Sequence, residues 1–277
     1  MDDDDIKKSA DIEDDSGRFE APDFKKQINH VRSVIEKKAA DIHRYTAPFV
    51  DAEGRRAFIK HIDMGPRRGG RASIVPSDEC AVELGPPGTA NANMVLWTED
   101  ESIIRDGEIN VLGSDMRGGE KLSLPYAQVV MLAVENLDEA DPFTFESTQF
   151  LSNRLKGFMV RTVPGRLWAR VSFDAVKDGM DFARLGGALI AVYREDFEYV
   201  KAAEVFFITD REDEINELHS VAAEARILLG KNKKLVLVGD GEYECTDLDC
   251  EDCDEKETCD AVRDIVVLRR KSRDAES

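Results

Sequence analysis

The sequence predicts an α+β fold, with a mixed sheet packed by two or more helices, an N-terminal helical extension and a C-terminal four-cysteine metal-binding segment. Three observations support this prediction. Apolar residues recur at helical spacing near the N-terminus and after residue 212. Short apolar or alternating runs bounded by Gly and Pro lie between these helices. Four of the five cysteines lie between Cys245 and Cys259.

These patterns divide the chain into five segments. They are an acidic disordered tail (1–23), a helical extension (24–64), an α+β domain (65–240), a metal-cluster segment (241–265) and a second tail (266–277). The first tail carries eight Asp or Glu by residue 15 and cannot bury enough apolar surface to order itself.

Composition restricts the class of protein. A formal charge of −19 and a pI near 4.7 argue against nucleic acid or an anionic membrane as the main partner. No apolar run is long enough to cross a bilayer, and the acidic start Met1-Asp-Asp-Asp-Asp is unlike a signal peptide. We therefore expect a cytoplasmic protein with reduced thiols.

The first helix is predicted from Asp23 to about Tyr45, because apolar residues such as Ile28, Val31 and Val34 recur at helical spacing. A second short helix is expected from Glu53 to Ile62. The histidines of this region have no i, i+4 spacing and are interpreted as surface residues rather than metal ligands: His30, His43 and His61.

A glycine-rich stretch from Gly65 to Arg71 follows, and its three guanidinium groups suit phosphate or pyrophosphate oxygens. The alternative is an exposed linker that pairs with the protein's own carboxylates. The arginines concerned are Arg67, Arg68 and Arg71.

The middle of the chain predicts strands at 81–84, 94–97, 109–112 and 128–134, then a helix from Phe143 to Met159. The run 167–172 alternates as a half-buried strand does. Segments 174–180 and 186–193 are helical or turn-linked, although the latter equally suits a buried strand. A strand at 203–209, a helix from Glu212 to Leu229 and a strand from Lys234 to Gly239 complete the domain.

The cysteine spacing C-x4-C-x2-C-x5-C lets four thiolates converge on one centre, most plausibly a [4Fe–4S] cluster, with structural zinc as the alternative. The four candidate ligands are Cys245, Cys250, Cys253 and Cys259. Nine carboxylates between Glu242 and Glu257 would lower the reduction potential of such a cluster and favour a basic electron-transfer partner. Cys80 stands alone and is predicted to be a small buried hydrophobe.

Three motifs carry a family resemblance: Val82-Glu-Leu-Gly85-Pro86, Leu167-Trp168-Ala-Arg170-Val-Ser172 and Val205-Phe-Phe-Ile-Thr209-Asp210. In order and spacing the chain resembles the middle α+β domain of acetyl-CoA synthase across roughly residues 72–230. That family is the β subunit of the carbon monoxide dehydrogenase/acetyl-CoA synthase complex.

The resemblance implies a cluster segment after this domain, where the four cysteines stand. The family also uses a Cys-Gly-Cys nickel site, which this sequence lacks, so complete acetyl-CoA synthase activity is not expected.

The family's middle domain is associated with CoA and with partner proteins. Trp168 matches the family's tryptophan, and adenine can stack on an indole while arginines neutralise phosphates. The alternative is a core tryptophan in a strand with a solvated arginine edge. The arginines around Trp168 are Arg154, Arg161, Arg166 and Arg170.

The resulting hypothesis is an iron–sulfur accessory subunit that binds CoA or acyl-CoA, or docks partner subunits, in an anaerobic complex. The cluster would be structural or electron-transferring. Two alternatives stay open: a CoA-dependent acyl or C1 transferase that uses the cluster, and a structural zinc scaffold. No Ser–His–Asp pattern is visible, so no catalytic residue is assigned.

Overall fold

The structure, a computed structural model, describes residues 22–49, 51–61, 74–116, 121–137, 145, 155–163, 165–229, 235–238 and 242–245. The chain divides into two compact units, Met1–His219 and Ser220–Ser277. None of the helices in the described ranges is both long and apolar enough to cross a bilayer.

The helices are α1 Lys25–Glu36, α2 Ala52–His61, α3 Phe173–Lys177, α4 Phe182–Asp196 and α5 Glu212–Leu228. The strands are β1 Ile42–Thr46, β2 Cys80–Leu84, β3 Asn91–Thr98, β4 Glu108–Leu112, β5 Leu122–Leu124, β6 Tyr126–Val134, β7 Phe158–Val163, β8 Arg166–Ser172, β9 Val200–Thr209, β10 Leu235–Val238 and β11 Glu242–Cys245.

The first unit contains a five-stranded sheet in the order β1-β4-β9-β6-β3. β4 runs parallel to β9 and β3 runs parallel to β6, whereas the β1–β4 and β9–β6 pairs are antiparallel. The predicted mixed sheet is therefore confirmed. β3, β6 and nearly all of β9 are buried, and their sequences are mostly apolar, as strands covered on both faces require.

A second, four-stranded sheet has the order β5-β2-β8-β7. β2 runs parallel to β5 and antiparallel to β8, and β8 runs antiparallel to β7. Along β8, residues at odd positions are buried and residues at even positions are at least partly accessible. This sheet therefore has one face in the core and one face directed outward.

Helix α4 packs on β9 and β4, and it carries one glycine pair, Gly186–Gly187, at its close contacts. A Cβ at Gly186 would lie 2.6 Å from Cγ2 of Ile109, and a Cβ at Gly187 would lie 3.2 Å from Cζ of Phe58 in α2. Residues without side chains let α4 approach the sheet on one side and α2 on the other. The region 186–193, predicted as helix or strand, is thus helical.

A charged pair joins helix α1 to the five-stranded sheet. Glu204 in β9 is fully buried and accepts hydrogen bonds from Arg32 Nη1 at 3.2 Å, from Asn110 Nδ2 at 3.2 Å and from the Arg105 backbone N–H at 3.0 Å. Arg32 Nη2 also contacts this carboxylate. Burial raises the pKa of Glu204, and the interactions with Arg32 offset the rise only in part.

Two predicted helices are wrong in part. The N-terminal helix ends at Glu36, and Ile42–Thr46 form β1, because this segment pairs with β4 from Ile42↔Leu112 to Thr46↔Glu108. The helix predicted over 143–159 does not include Phe158 and Met159, which pair with β8 as part of β7. Gly157, with φ +73°, turns the chain into that strand.

The second unit includes the end of α5, which begins in the first unit, and an antiparallel hairpin of β10 and β11. Val238 pairs with Glu242 at its turn, and Leu235 pairs with Cys245 at its open end. The last predicted core strand is thus a strand, and the first cysteine of the quartet ends its partner.

Candidate functional site

The outward side of the four-stranded sheet carries Trp168 and three of the arginines that the sequence associated with an anionic ligand. We call it the arginine–indole face and define it by Glu83, Arg161, Arg166, Trp168 and Arg170. It forms because β8 alternates strictly: Leu167, Ala169 and Val171 are buried, which directs the residues between them outward.

Cross-strand register brings the members of the face together. Trp168 lies opposite Arg161 of β7, and Arg170 lies opposite Glu83 of β2. Side chains directly opposite each other on one face of an antiparallel pair are close enough to interact. Two of the three sequence motifs, Val82–Pro86 and Leu167–Ser172, therefore meet at one place.

The centre of the face is a three-residue network. Glu83 Oε1 accepts a hydrogen bond from Trp168 Nε1 at 3.2 Å and another from Arg170 Nε at 2.9 Å. The Arg170 guanidinium carbon lies 4.7 Å from the centroid of the indole ring, which is the geometry of a cation–π contact. Arg170 Nη1 also donates to the Val75 carbonyl at 3.4 Å.

The face is partly accessible. The side chains of Arg170 and Glu83 are 20% and 18% exposed, Trp168 is half-buried, and Arg161 and Arg166 are exposed. Arg161 donates from Nη1 to the carbonyl of Val160 in its own strand at 3.2 Å. The indole and guanidinium groups can thus meet a ligand without unfolding of the sheet.

A buried asparagine fixes the strand that carries Trp168. The Asn91 side chain accepts from the Leu167 N–H at 2.9 Å, donates to the Gly85 carbonyl at 2.9 Å and also contacts the Leu167 carbonyl. Gly85 has φ +60°, and a Cβ there would lie 1.8 Å from Asn91 Nδ2. Only glycine fits this turn, which ties β2, β3 and β8 together.

A cleft of about 340 Å³ lies beside the face. Val75 lines it and also supplies the carbonyl that Arg170 contacts, so the two features adjoin. Its walls are apolar at Leu155 and Met180 and carry both positive and negative side chains, namely Lys156, Arg184, Glu79, Asp174 and Asp178. The cleft is thus lined by apolar side chains and by charged side chains of both signs.

Other predicted residues lie outside the described ranges: Arg67, Arg68, Arg71, Arg154, Cys250, Cys253 and Cys259. Cys245 ends β11. Within the described residues, no group of three or more His, Cys, Asp or Glu is placed to hold a metal ion. The cysteine quartet and the glycine-rich arginine loop consequently remain predictions.

Cys80 is confirmed as a buried free cysteine. Its Sγ donates to the Val82 carbonyl at 3.3 Å, and burial raises the pKa of the thiol. A thiol that resists ionisation is a poor nucleophile, so Cys80 has a packing role.

Glu83 is a member of the site that was not predicted from the sequence, although it lies in the motif Val82–Pro86. The available signal was a single charged residue inside the apolar strand Ala81-Val-Glu-Leu84, which requires a polar partner or an outward position. Glu204 shows the same signal within Ala203-Glu-Val-Phe-Phe207. Register between β2 and β8 supplies Arg170 to Glu83, whereas helix α1 supplies Arg32 to Glu204.

A family model and individual relatives match this chain, and they name the same kind of protein. The model of the CO dehydrogenase/acetyl-CoA synthase complex beta subunit family, CdhC, matches residues 61–214, which is more than half of the chain. Acetyl-CoA decarbonylase/synthase complex subunit beta of Methanothermobacter thermautotrophicus is 30% identical over 151 residues, and that of Methanopyrus kandleri is 29% identical over 157 residues.

Each alignment covers 54% of this chain and 32% of the relative. Subunit beta 2 of the same complex from Methanocaldococcus jannaschii is 24% identical over 160 residues, with 57% of this chain and 33% of the relative covered. This chain therefore spans about a third of the length of the relatives that it matches.

Proposed function

This chain belongs to the CO dehydrogenase/acetyl-CoA synthase complex beta subunit family, and on that premise we propose that it is an accessory subunit that binds CoA or acyl-CoA on the arginine–indole face. The observation that carries the proposal is the convergence of Trp168, Arg161 and Arg170 on one accessible sheet face. The relatives are named as subunits of a complex, so we further propose that this chain works with other subunits in anaerobic metabolism.

The chemistry of the face suits the nucleotide end of CoA. An indole ring offers a stacking surface for adenine, and guanidinium groups bind phosphate oxygens in forked pairs. Arg161 and Arg166 are exposed beside Trp168, within a chain of net charge −19. Local positive charge in an acidic protein favours a small anion over a polyanionic surface.

The adjoining cleft supports a two-part ligand. Its volume of about 340 Å³ and its apolar walls at Leu155 and Met180 suit the uncharged arm of CoA. Val75 separates it from Arg170, so a ligand with phosphates on the face can extend into the cleft. Neither inorganic phosphate nor a free nucleotide would use both parts.

We also propose that the cysteine quartet holds a [4Fe–4S] cluster of structural or electron-transfer function. Four thiolates with short spacers are the ligand set of such clusters, and the first of these cysteines, Cys245, is the last residue of β11. The acidic residues around the quartet suit a basic electron-transfer protein as partner.

Binding of CoA is tested by tryptophan fluorescence and calorimetry on the full chain. The protein has two tryptophans, and Trp97 is fully buried, so we expect CoA to quench Trp168 selectively. Trp168→Ala should abolish binding, and Arg166→Ala should weaken it several-fold.

Arg44→Ala is the matched control for Arg166→Ala. Arg44 is an exposed arginine on β1, so its replacement removes one positive charge away from the face. Equal affinity of CoA for wild type and Trp168→Ala would reject the site. Complete absence of CoA binding together with co-purification of other subunits would favour the docking role.

The cluster is tested by anaerobic purification followed by iron, sulfide and zinc analysis. We expect visible iron–sulfur absorption that is lost when any of the four cysteines is replaced by serine. Cys80→Ala should retain it, since Cys80 lies buried in β2. Stoichiometric zinc without iron would establish the zinc scaffold instead.

A further inference from the structure

We infer that Glu83 sets the affinity of the arginine–indole face for anions by competing internally for Arg170. The inference rests on the proposed function and adds a residue that determines ligand charge specificity. Glu83 is hydrogen-bonded to both groups that a nucleotide would use, the Trp168 indole and the Arg170 guanidinium.

The geometry makes Glu83 the shared acceptor of the face. Its Oε1 atom accepts from Trp168 Nε1 at 3.2 Å and from Arg170 Nε at 2.9 Å. Arg170 is also fixed by the Val75 carbonyl at 3.4 Å and lies over the indole at 4.7 Å. The positive charge of Arg170 is therefore neutralised before any ligand arrives.

The neighbouring arginines are in a different electrostatic state. Within the described part of the chain, Arg161 and Arg166 form no ion pair with a carboxylate, whereas Arg170 does. A phosphate group that approaches Arg170 is repelled by the Glu83 carboxylate, which lies within the same hydrogen-bonded network. Glu83 thus lowers the affinity for anions and leaves stacking of a neutral base unaffected.

The substitution Glu83→Gln separates charge from geometry. A glutamine oxygen still accepts from the indole N–H and from Arg170 Nε, so the network is retained while the negative charge is lost. The probes are adenosine 3′,5′-bisphosphate and uncharged adenosine. Each is titrated calorimetrically, or by competition, into the full chain over a range of salt concentrations.

We expect Glu83→Gln to bind the bisphosphate roughly tenfold more tightly than wild type, with a steeper loss of affinity as salt rises. The affinity for adenosine should be unchanged, so the ratio of bisphosphate affinity to adenosine affinity should rise. Glu135→Gln is the matched control, because Glu135 pairs with Lys201 away from the face and loses the same charge.

An unchanged or weakened affinity of Glu83→Gln for the bisphosphate, with wild type binding it, would overturn the inference while the proposed site stands. An equal gain in Glu135→Gln would also overturn it, because the effect would then be one of net charge. If neither wild type nor Glu83→Gln binds the bisphosphate, the site itself fails and the inference falls with it.

Discussion

The Arg32–Glu204 pair joins helix α1 to β9 of the five-stranded sheet, whereas the Arg170–Glu83 pair lies on the outward face of the four-stranded sheet. The side chains of the first pair are 12% and 0% exposed, and those of the second are 20% and 18% exposed. Glu204 receives additional bonds from Asn110 and the Arg105 backbone. Glu83 shares its oxygen with an indole.

The difference shows how burial assigns a role to the same two functional groups. A buried carboxylate must keep all its donors, because a lost partner leaves a desolvated charge. A partly solvated pair can exchange its partner for a ligand at small free-energy cost. The first pair therefore secures α1 to the sheet, and the second suits recognition.

The largest expected effect comes from breaking the buried pair. Arg32→Ala leaves the Glu204 carboxylate without its cation and should lower the free energy of unfolding by about 3–5 kcal/mol. Urea denaturation followed by circular dichroism measures it. Glu83→Ala, measured in the same way, should change the value by less than about 1 kcal/mol. Similar losses in both variants would contradict the distinction between the pairs.

A smaller effect is expected at the turn that positions the outward face. Gly85→Ala places a Cβ 1.8 Å from Asn91 Nδ2 at φ +60°, and should destabilise the protein by about 2 kcal/mol. Gly88→Ala is the control, because its φ of +94° is also positive but a Cβ there meets open space. Equal melting temperatures for Gly85→Ala and wild type would show that the turn relaxes freely.

The pH dependence of stability should report on the buried Glu204. Because burial raises the pKa of Glu204, the folded state holds its proton to higher pH than the unfolded state does. The free energy of unfolding should therefore fall as pH rises from about 4.3, where unfolded glutamate titrates, through the higher folded pKa.

Glu204→Gln should remove this component, so the difference between wild type and variant gives its size. Arg32 and Glu108 contribute opposing effects to the same titration. A difference that is constant with pH, or that grows more favourable to wild type as pH rises, would contradict a raised pKa.

The smallest effect concerns the outward pair itself. Arg170→Ala removes one ion pair and one ring contact, and should lower the free energy of unfolding by about 1 kcal/mol at most. A double-mutant cycle with Glu83→Gln isolates the coupling between the two side chains. Coupling comparable with that of Arg32 and Glu204 would assign the outward pair a structural role.

The fold was predictable where the hydrophobic periodicity of a segment is that of the helix or strand which the segment forms. β2, β4, β6, β8 and β9 and helix α2 follow from apolar runs, alternation and helical spacing. β1 could not be predicted from the sequence, because its apolar residues continue the helical spacing of α1. It is a strand because it pairs with β4. β7 was missed for the same reason, since β8 determines its conformation.

The candidate site was predictable in its residue types but not in its arrangement. Trp168 and the nearby arginines followed from the sequence, yet Glu83 lies 85 positions before Trp168 and joins it only through strand register. Its influence on Arg170 is a property of the tertiary structure.

The part of the chain that precedes the family match has a practical consequence for dissecting the protein. The match begins at residue 61, yet α1 and β1 lie before it and supply Arg32 and the strand that covers β4. A fragment that starts at residue 61 would leave the edge of β4 unpaired and the buried Glu204 carboxylate without Arg32. The portable unit for expression, or for transfer into another subunit, therefore has to include α1 and β1.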